Sequence, residues 1–221
     1  MPREPGQIRS PSHFSAQCHL LSVRRGKFAM RTARSLPKGS PRGGKLVGMD
    51  ARDVLIDAAG RPVDSARQVL DGLDGDTLHR MPDDRHSSIA WLLWHAARQA
   101  DVQVAELAGT QEVWRAAGFI GRFALDRPDD AMGFGDSPED VAKVRVDDPG
   151  LLTAYLEAVF EATTTYVRGL TEADLDDIVD RRWDPPVTRG VRLVSVIDDA
   201  VAHIAQAQYL RGLLADWSIG Y

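Results

Sequence analysis

Two histidines and one aspartate carry the strongest chemical signal in this chain. His95 lies in its most apolar stretch, residues 89–97, IAWLLWHAA. His203 lies on the run Val196, Ala200, His203, Ala207, Leu210 and Leu214, in which every other member is apolar. Asp199 precedes His203 by one helical turn. Positions i and i+4 of a helix share a face, with Cβ atoms about 6 Å apart, so a carboxylate and an imidazole would point the same way. Polar groups in apolar surroundings need partners. If His95 faces the pair from another helix, the three form a two-histidine, one-carboxylate set. Such a set holds a divalent metal and leaves positions open to water or substrate. The alternative is structural: Asp199 fixes one tautomer of a core histidine.

These residues need long helices to position them, and the sequence punctuates four. Asp50 is a candidate N-cap for a first helix running to about Leu73, with a kink or break expected at Gly60-Arg61-Pro62. A second opens near His86 or Ser87, runs to Leu107 and ends at Gly109, and its apolar surface on nearly all sides makes it central. Residues 110–147 form a long connection in which Ser137-Pro138-Glu139-Asp140 reads as a cap, an N1 proline and a capping box. Asp148-Pro149 opens a third long helix over 149–170. Thr171-Glu172-Ala173-Asp174 caps another short turn, and Asp184-Pro185-Pro186 forces an extended loop. A fourth helix is expected from about Leu193 to Asp216. Val187 and Val191–Val194 are too short and too close to a helix to suggest a sheet. The reading is all-α: a four-helix bundle over 49–221 with long cross-connections rather than tight up-and-down loops.

Charge separates this body from the residues before it. Residues 1–48 hold ten Lys or Arg against Glu4 alone, leaving 17 bases against 31 acids in the remainder. So acidic a body repels nucleic-acid phosphates. The tail is rich in Arg, Ser, Pro and Gly without apolar periodicity, and is expected to be disordered. It reads as an organelle transit segment or as an upstream start called too early, with Met49 the true start. The single cysteine, Cys18, falls in that tail, so the body has no disulfide, thiolate nucleophile or cysteine zinc site of its own. No apolar run approaches the roughly 20 residues of a membrane span, and a cytoplasmic location is expected. No phosphate-binding glycine loop, nucleophile elbow or Ser-His-Asp order stands out.

The stretch Trp91-Leu92-Leu93-Trp94-His95-Ala96-Ala97-Arg98-Gln99-Ala100-Asp101 resembles the first metal-ligand helix of the DinB-like superfamily, which includes the mycothiol-dependent maleylpyruvate isomerases. Asp199 to Gly212 resembles its last helix, and helix order and loop lengths match over most of 49–217. The resemblance implies a DinB-like bundle in which His95 and His203 are metal ligands. Asp199 stands where many relatives have His and the isomerase branch has Glu; Ala205 stands where Gly is usual. It further implies a divalent metal (zinc first, then nickel or iron), a low-molecular-weight thiol such as mycothiol or bacillithiol, a small electrophilic substrate and a homodimer. The competing expectation is a non-catalytic bundle with a degenerate metal site, for binding or dimerisation.

Arg98, Arg122, Arg189 and Arg192 are candidates to meet an anionic substrate or the cofactor's carboxyl groups, with Arg98, Arg122 and Arg192 the selected set; the alternative for each is a solvated or salt-bridged side chain. Trp114, Phe119 and Phe123 suit a pocket, a dimer surface or the core. His79 and His86 flank the loop before the second helix, His86 as a capping-region residue.

Overall fold

The structure, a computed structural model, describes residues 48–220; the expectations for the basic tail fall almost wholly outside them. In chain order the described α-helices are α1 (Ala51–Leu70), α2 (Gly75–His79), α3 (Ile89–Ala108), α4 (Val113–Ala116), α5 (Phe119–Phe123), α6 (Pro138–Ala142), α7 (Gly150–Arg168) and α8 (Arg189–Ala215). Two short strands, β1 (Ile178–Asp180) and β2 (Val187–Thr188), precede α8.

The four long helices form the bundle. α1 packs against α7 and α8, and α3 packs against the same two. Going round, the order is α1, α7, α3, α8. Successive long helices α1 and α3 are therefore diagonal, as are α7 and α8. The connections from α1 to α3 and from α7 to α8 therefore cross the end of the bundle, whereas the longest one, residues 109–149, joins the neighbours α3 and α7. α3 is buried without interruption from Ile89 to Asp101, because short helices α2 and α4 also cover it.

Local signals set most boundaries. The Asp50 carboxylate accepts from the amides of Arg52 and Asp53 at 2.9 and 3.0 Å, and Asp53 answers with the Asp50 amide. This is the capping box that starts α1. Ser137 and Asp140 form another at α6. Gly109 ends α3 with φ of 65°, a left-handed conformation that glycine adopts without strain. Ser88 caps α3, placing its start later than expected, because its side chain accepts from the Trp91 amide at 3.1 Å.

Three expectations are corrected. α1 runs unbroken through Pro62, which is itself buried. A proline inside a helix removes a hydrogen bond and costs about 3 kcal/mol in isolation, but here the ring joins Ala59, Val63 and Ala66 on the core face. α1 also stops at Leu70, not Leu73. There Arg211 of α8 donates to the carbonyls of Gln68, Val69 and Asp71 at 3.0, 3.1 and 2.7 Å, satisfying the helix end with a cation. α8 begins four residues earlier than Leu193. Thr188 accepts from the Val191 amide at 3.3 Å, and Arg189 is tied to the Asp174 carbonyl at 3.0 Å and to the Asp177 carboxylate at 3.0 Å.

A two-stranded antiparallel sheet exists where no sheet was expected. Its strands are too short to show period-2 patterning. They are held instead by Asp180, whose carboxylate accepts from Arg182 at 2.8 Å and from Arg192 of α8 at 3.0 Å.

Candidate metal centre

His95 comes from α3, and Asp199 and His203 come from its neighbour α8. The imidazole centroids are 4.7 Å apart with planes at 76°. One ligand atom from each of the three residues lies within 4.8 Å of the other two. His95 is buried; Asp199 and His203 are half-buried, so the cluster opens toward solvent on the α8 side.

Hydrogen bonds to the far nitrogens fix which atom each imidazole presents. His95 Nδ1 bonds the Met132 carbonyl, which can only accept, so Nδ1 carries the proton and Nε2 the lone pair. His203 Nδ1 lies 3.1 Å from Gln206 Oε1. Its Nε2 lies 3.6 Å from Asp199 Oδ1. Two Nε2 lone pairs and a carboxylate therefore converge. Burial pushes the His95 imidazole below its usual pKa, opposed by the Met132 carbonyl, and the neutral ring is the ligating form.

Asp199 Oδ2 tests whether the group fits a metal. It is buried and has no hydrogen-bond partner. A buried carboxylate oxygen without a partner is costly. A divalent cation held between the three residues would satisfy it. The donor set, imidazole and carboxylate, suits zinc, nickel or iron.

A loop after α5 braces His95, the buried candidate ligand. Trp91 stacks on the His95 ring at 4.6 Å and 15°. Its indole Nε1 donates to Asp136 at 2.7 Å, and Arg127 grips the same carboxylate at 2.6 and 2.7 Å. Gly133, buried with φ of 94°, lies against the ring: a Cβ there would collide with His95 Nδ1 and come within 3.2 Å of Trp91. Outer contacts of this kind orient ligands and raise their basicity. Gly133, Met132, Asp136, Arg127 and Gln206 escaped the sequence reading. The Gly133-Phe134-Gly135 pattern marks a turn, but a carbonyl partner leaves no sequence signal.

The other candidates fall as follows. Arg98, 0% exposed, bonds Glu112 at 2.9 Å, Tyr155 at 3.1 Å and the Ala131 carbonyl at 3.1 Å. It thus holds the loop one residue before the carbonyl that holds His95. Arg189 and Arg192 are paired with Asp177 and Asp180. Arg122 is exposed, with its guanidinium 4.6 Å from the Phe119 centroid. It alone of the four has no carboxylate partner among the described residues. No hydrogen bond or ion pair joins any of the four to the triad among those residues. Trp114, Phe119 and Phe123 are all buried, packed round Tyr155. His79 donates from Nδ1 to the Gly75 carbonyl at 2.8 Å and accepts at Nε2 from the Val146 amide at 3.1 Å. His86 is exposed, just before the cap of α3. Asp199 is shorter than glutamate but reaches the cluster, and exposed Ala205 displaces nothing in the core.

These features define a four-helix bundle with a two-histidine, one-aspartate centre between two of its helices. Residues 63–207, more than half of the chain, match the family model of the DinB superfamily, and the chain belongs to that superfamily. It is similar to a solved conserved protein from Enterococcus faecalis, at 36% identity and a TM-score of 0.72, over 77% of this chain and 100% of that one. Comparison with curated proteins finds no match. No helix among the described residues is long and apolar enough to cross a membrane.

Proposed function

We propose that the chain is a divalent-metal-dependent enzyme of the thiol transferase or isomerase type, acting in the cytoplasm on a small electrophile with a thiol cofactor such as mycothiol. The observation that carries this reading is the convergence of two Nε2 lone pairs and a partnerless buried carboxylate oxygen. When bound, the metal, zinc before nickel or iron, lowers the pKa of a thiol and presents a thiolate at neutral pH.

The chain's own residues prepare that chemistry. Met132 and Gln206 keep the Nδ1 protons in place, so both rings offer Nε2. Asp199 contributes the negative charge. Trp91 shields one face of His95 from water. The half-exposed Asp199 and His203 leave an approach for small molecules from the α8 side. No cysteine follows Cys18, so a reacting thiol in the bundle must come from outside.

The test is elemental analysis of the full chain purified without metal resin, beside His203→Ala. About one zinc, nickel or iron per chain, lost in the variant, supports the site and justifies a thiol-transfer screen. Metal kept at full stoichiometry in His203→Ala sinks the ligand assignment. The 3.6 Å approach of His203 to Asp199 also suits the second reading, a binding bundle with a degenerate site, which predicts no metal in either protein after reconstitution.

A further inference from the structure

Arg127, which grips the Asp136 carboxylate, also lines a second recess, and none of the three candidate ligands belongs to it. Trp94, Trp114, Ile120 and Leu125 line it as well, and Pro128 and Asp129 are exposed at its rim. Its volume is about 230 Å³. A water's share of the liquid is about 30 Å³, so the recess has room for far more than one bridging water. Pockets for drug-sized ligands take about 300–1,000 Å³, so it suits a smaller molecule, of about ten non-hydrogen atoms.

Two donors in this lining are unspent. Trp94 is 1% exposed and the Arg127 side chain 6%, yet Trp94 Nε1 and Arg127 Nε are buried with no hydrogen-bond partner among the described residues. The other indole of the lining is engaged: Trp114 Nε1 donates to the Asp129 carbonyl at 3.2 Å. Buried polar groups without partners are rare and costly, and these two lie close together, the guanidinium carbon of Arg127 being 4.7 Å from the Trp94 ring centroid. Neither group can accept, so their partner must be an acceptor. An anion is disfavoured. Asp136 already meets the charge of Arg127 through bonds of 2.6 and 2.7 Å, and the Asp129 carboxylate at the rim repels a further negative charge. A carbonyl oxygen has two lone pairs, one for each N–H, and Ile120 and Leu125 offer apolar surface to the rest of the molecule. We infer that this recess binds a small uncharged molecule with a carbonyl oxygen on an apolar body, an aryl ketone or amide, the oxygen taking the N–H groups of Trp94 and Arg127. The occupant sits behind the brace of the candidate metal centre, because the carboxylate that Arg127 holds also accepts from Trp91, which stacks on His95.

The test is a nuclear magnetic resonance titration of the ¹⁵N-labelled full chain with acetophenone, in which Trp94→Phe identifies the Trp94 indole N–H peak by its loss. Acetophenone should move that peak downfield and saturably, with a Kd of about 1 mM or tighter, as expected of a well-seated fragment. Ethylbenzene, of similar shape without the oxygen, should bind about tenfold more weakly or not at all. Leu125→Phe and, from α5, Ile120→Phe narrow the recess, and each should weaken acetophenone by about tenfold or more while the circular dichroism and melting of the bundle are retained; two variants guard against one that fails to fold. A Trp94 peak unmoved by roughly 10 mM acetophenone, ten times the expected Kd, leaves the recess to water and overturns the inference. Equal affinity for ethylbenzene overturns the role of the two donors. Displacement of acetophenone by equimolar benzoate overturns the uncharged class, and undiminished binding in the folded filling variants overturns the location.

Discussion

His95 gives its Nδ1 proton to the carbonyl of Met132, 37 residues further along the chain. That contact turns the ring so that Nε2 faces Asp199 and His203. It also makes the loop from Ala131 to Asp136 part of the candidate metal centre, although the loop supplies none of its three candidate ligands.

Gly133→Ala should therefore weaken metal binding. The added methyl meets the His95 ring at Nδ1, and φ of 94° strains any side chain. Loss of outer-sphere support typically costs about 10- to 100-fold in affinity. Competition against a chelator measures it. Unchanged affinity would show that the loop yields and that Met132 is dispensable.

Asp136→Ala is expected to cost roughly 3 kcal/mol in urea unfolding, because it strands a buried arginine. Arg127 and Asp136 are only 6% and 10% exposed, and Trp91 loses its acceptor as well. A loss well under 1 kcal/mol would mean that water replaces the carboxylate.

Asp101 and Tyr155 separate two magnitudes. The Asp101 carboxylate accepts from the amides of Val113 and Trp114 at 2.8 Å each and from the Tyr155 hydroxyl at 2.7 Å. Burial raises the pKa of both groups. Tyr155→Phe removes two bonds, the one given to Asp101 and the one accepted from Arg98, and should cost about 1–3 kcal/mol. Asp101→Ala should cost about 3–5 kcal/mol, since it strips the start of α4 and leaves Arg98 with fewer partners. Equal losses would contradict this ranking.

His79 predicts the sign of an acid limb in stability. Its Nε2 accepts from the Val146 amide, so the folded protein holds it neutral, and burial lowers its pKa. The unfolded chain takes up the proton near its ordinary pKa of about 6.5. The unfolded state then binds more protons, so the contribution is full above about pH 6.5 and fades as the pH falls toward the folded pKa. Chemical unfolding at stepped pH should show a shallower acid limb for His79→Gln than for the native chain. A difference of opposite sign would contradict the bonding pattern.

Much of this protein was legible in order along the chain. The caps at Asp50, Ser137 and Thr171, the C-cap Gly109 and the unbroken apolar run of α3 all act locally, through bonds spanning a few residues. The triad was legible in part. Asp199 and His203 share a face by helical period alone, and His95 was marked by its apolar setting. Only the packing of α3 against α8 brought its ring to 4.7 Å from His203. Other features depended on residues far apart. Arg211 ends α1 from 140 residues away, and packing of the Pro62 ring in the core overrides the local cost of a proline. Asp180 closes a sheet too short to leave a period, and a backbone carbonyl at Met132 chooses the tautomer of His95. Short-range periods and caps are written in neighbouring residues, but a carbonyl is the same at every position. Which one meets a given side chain is decided only when distant segments are packed together.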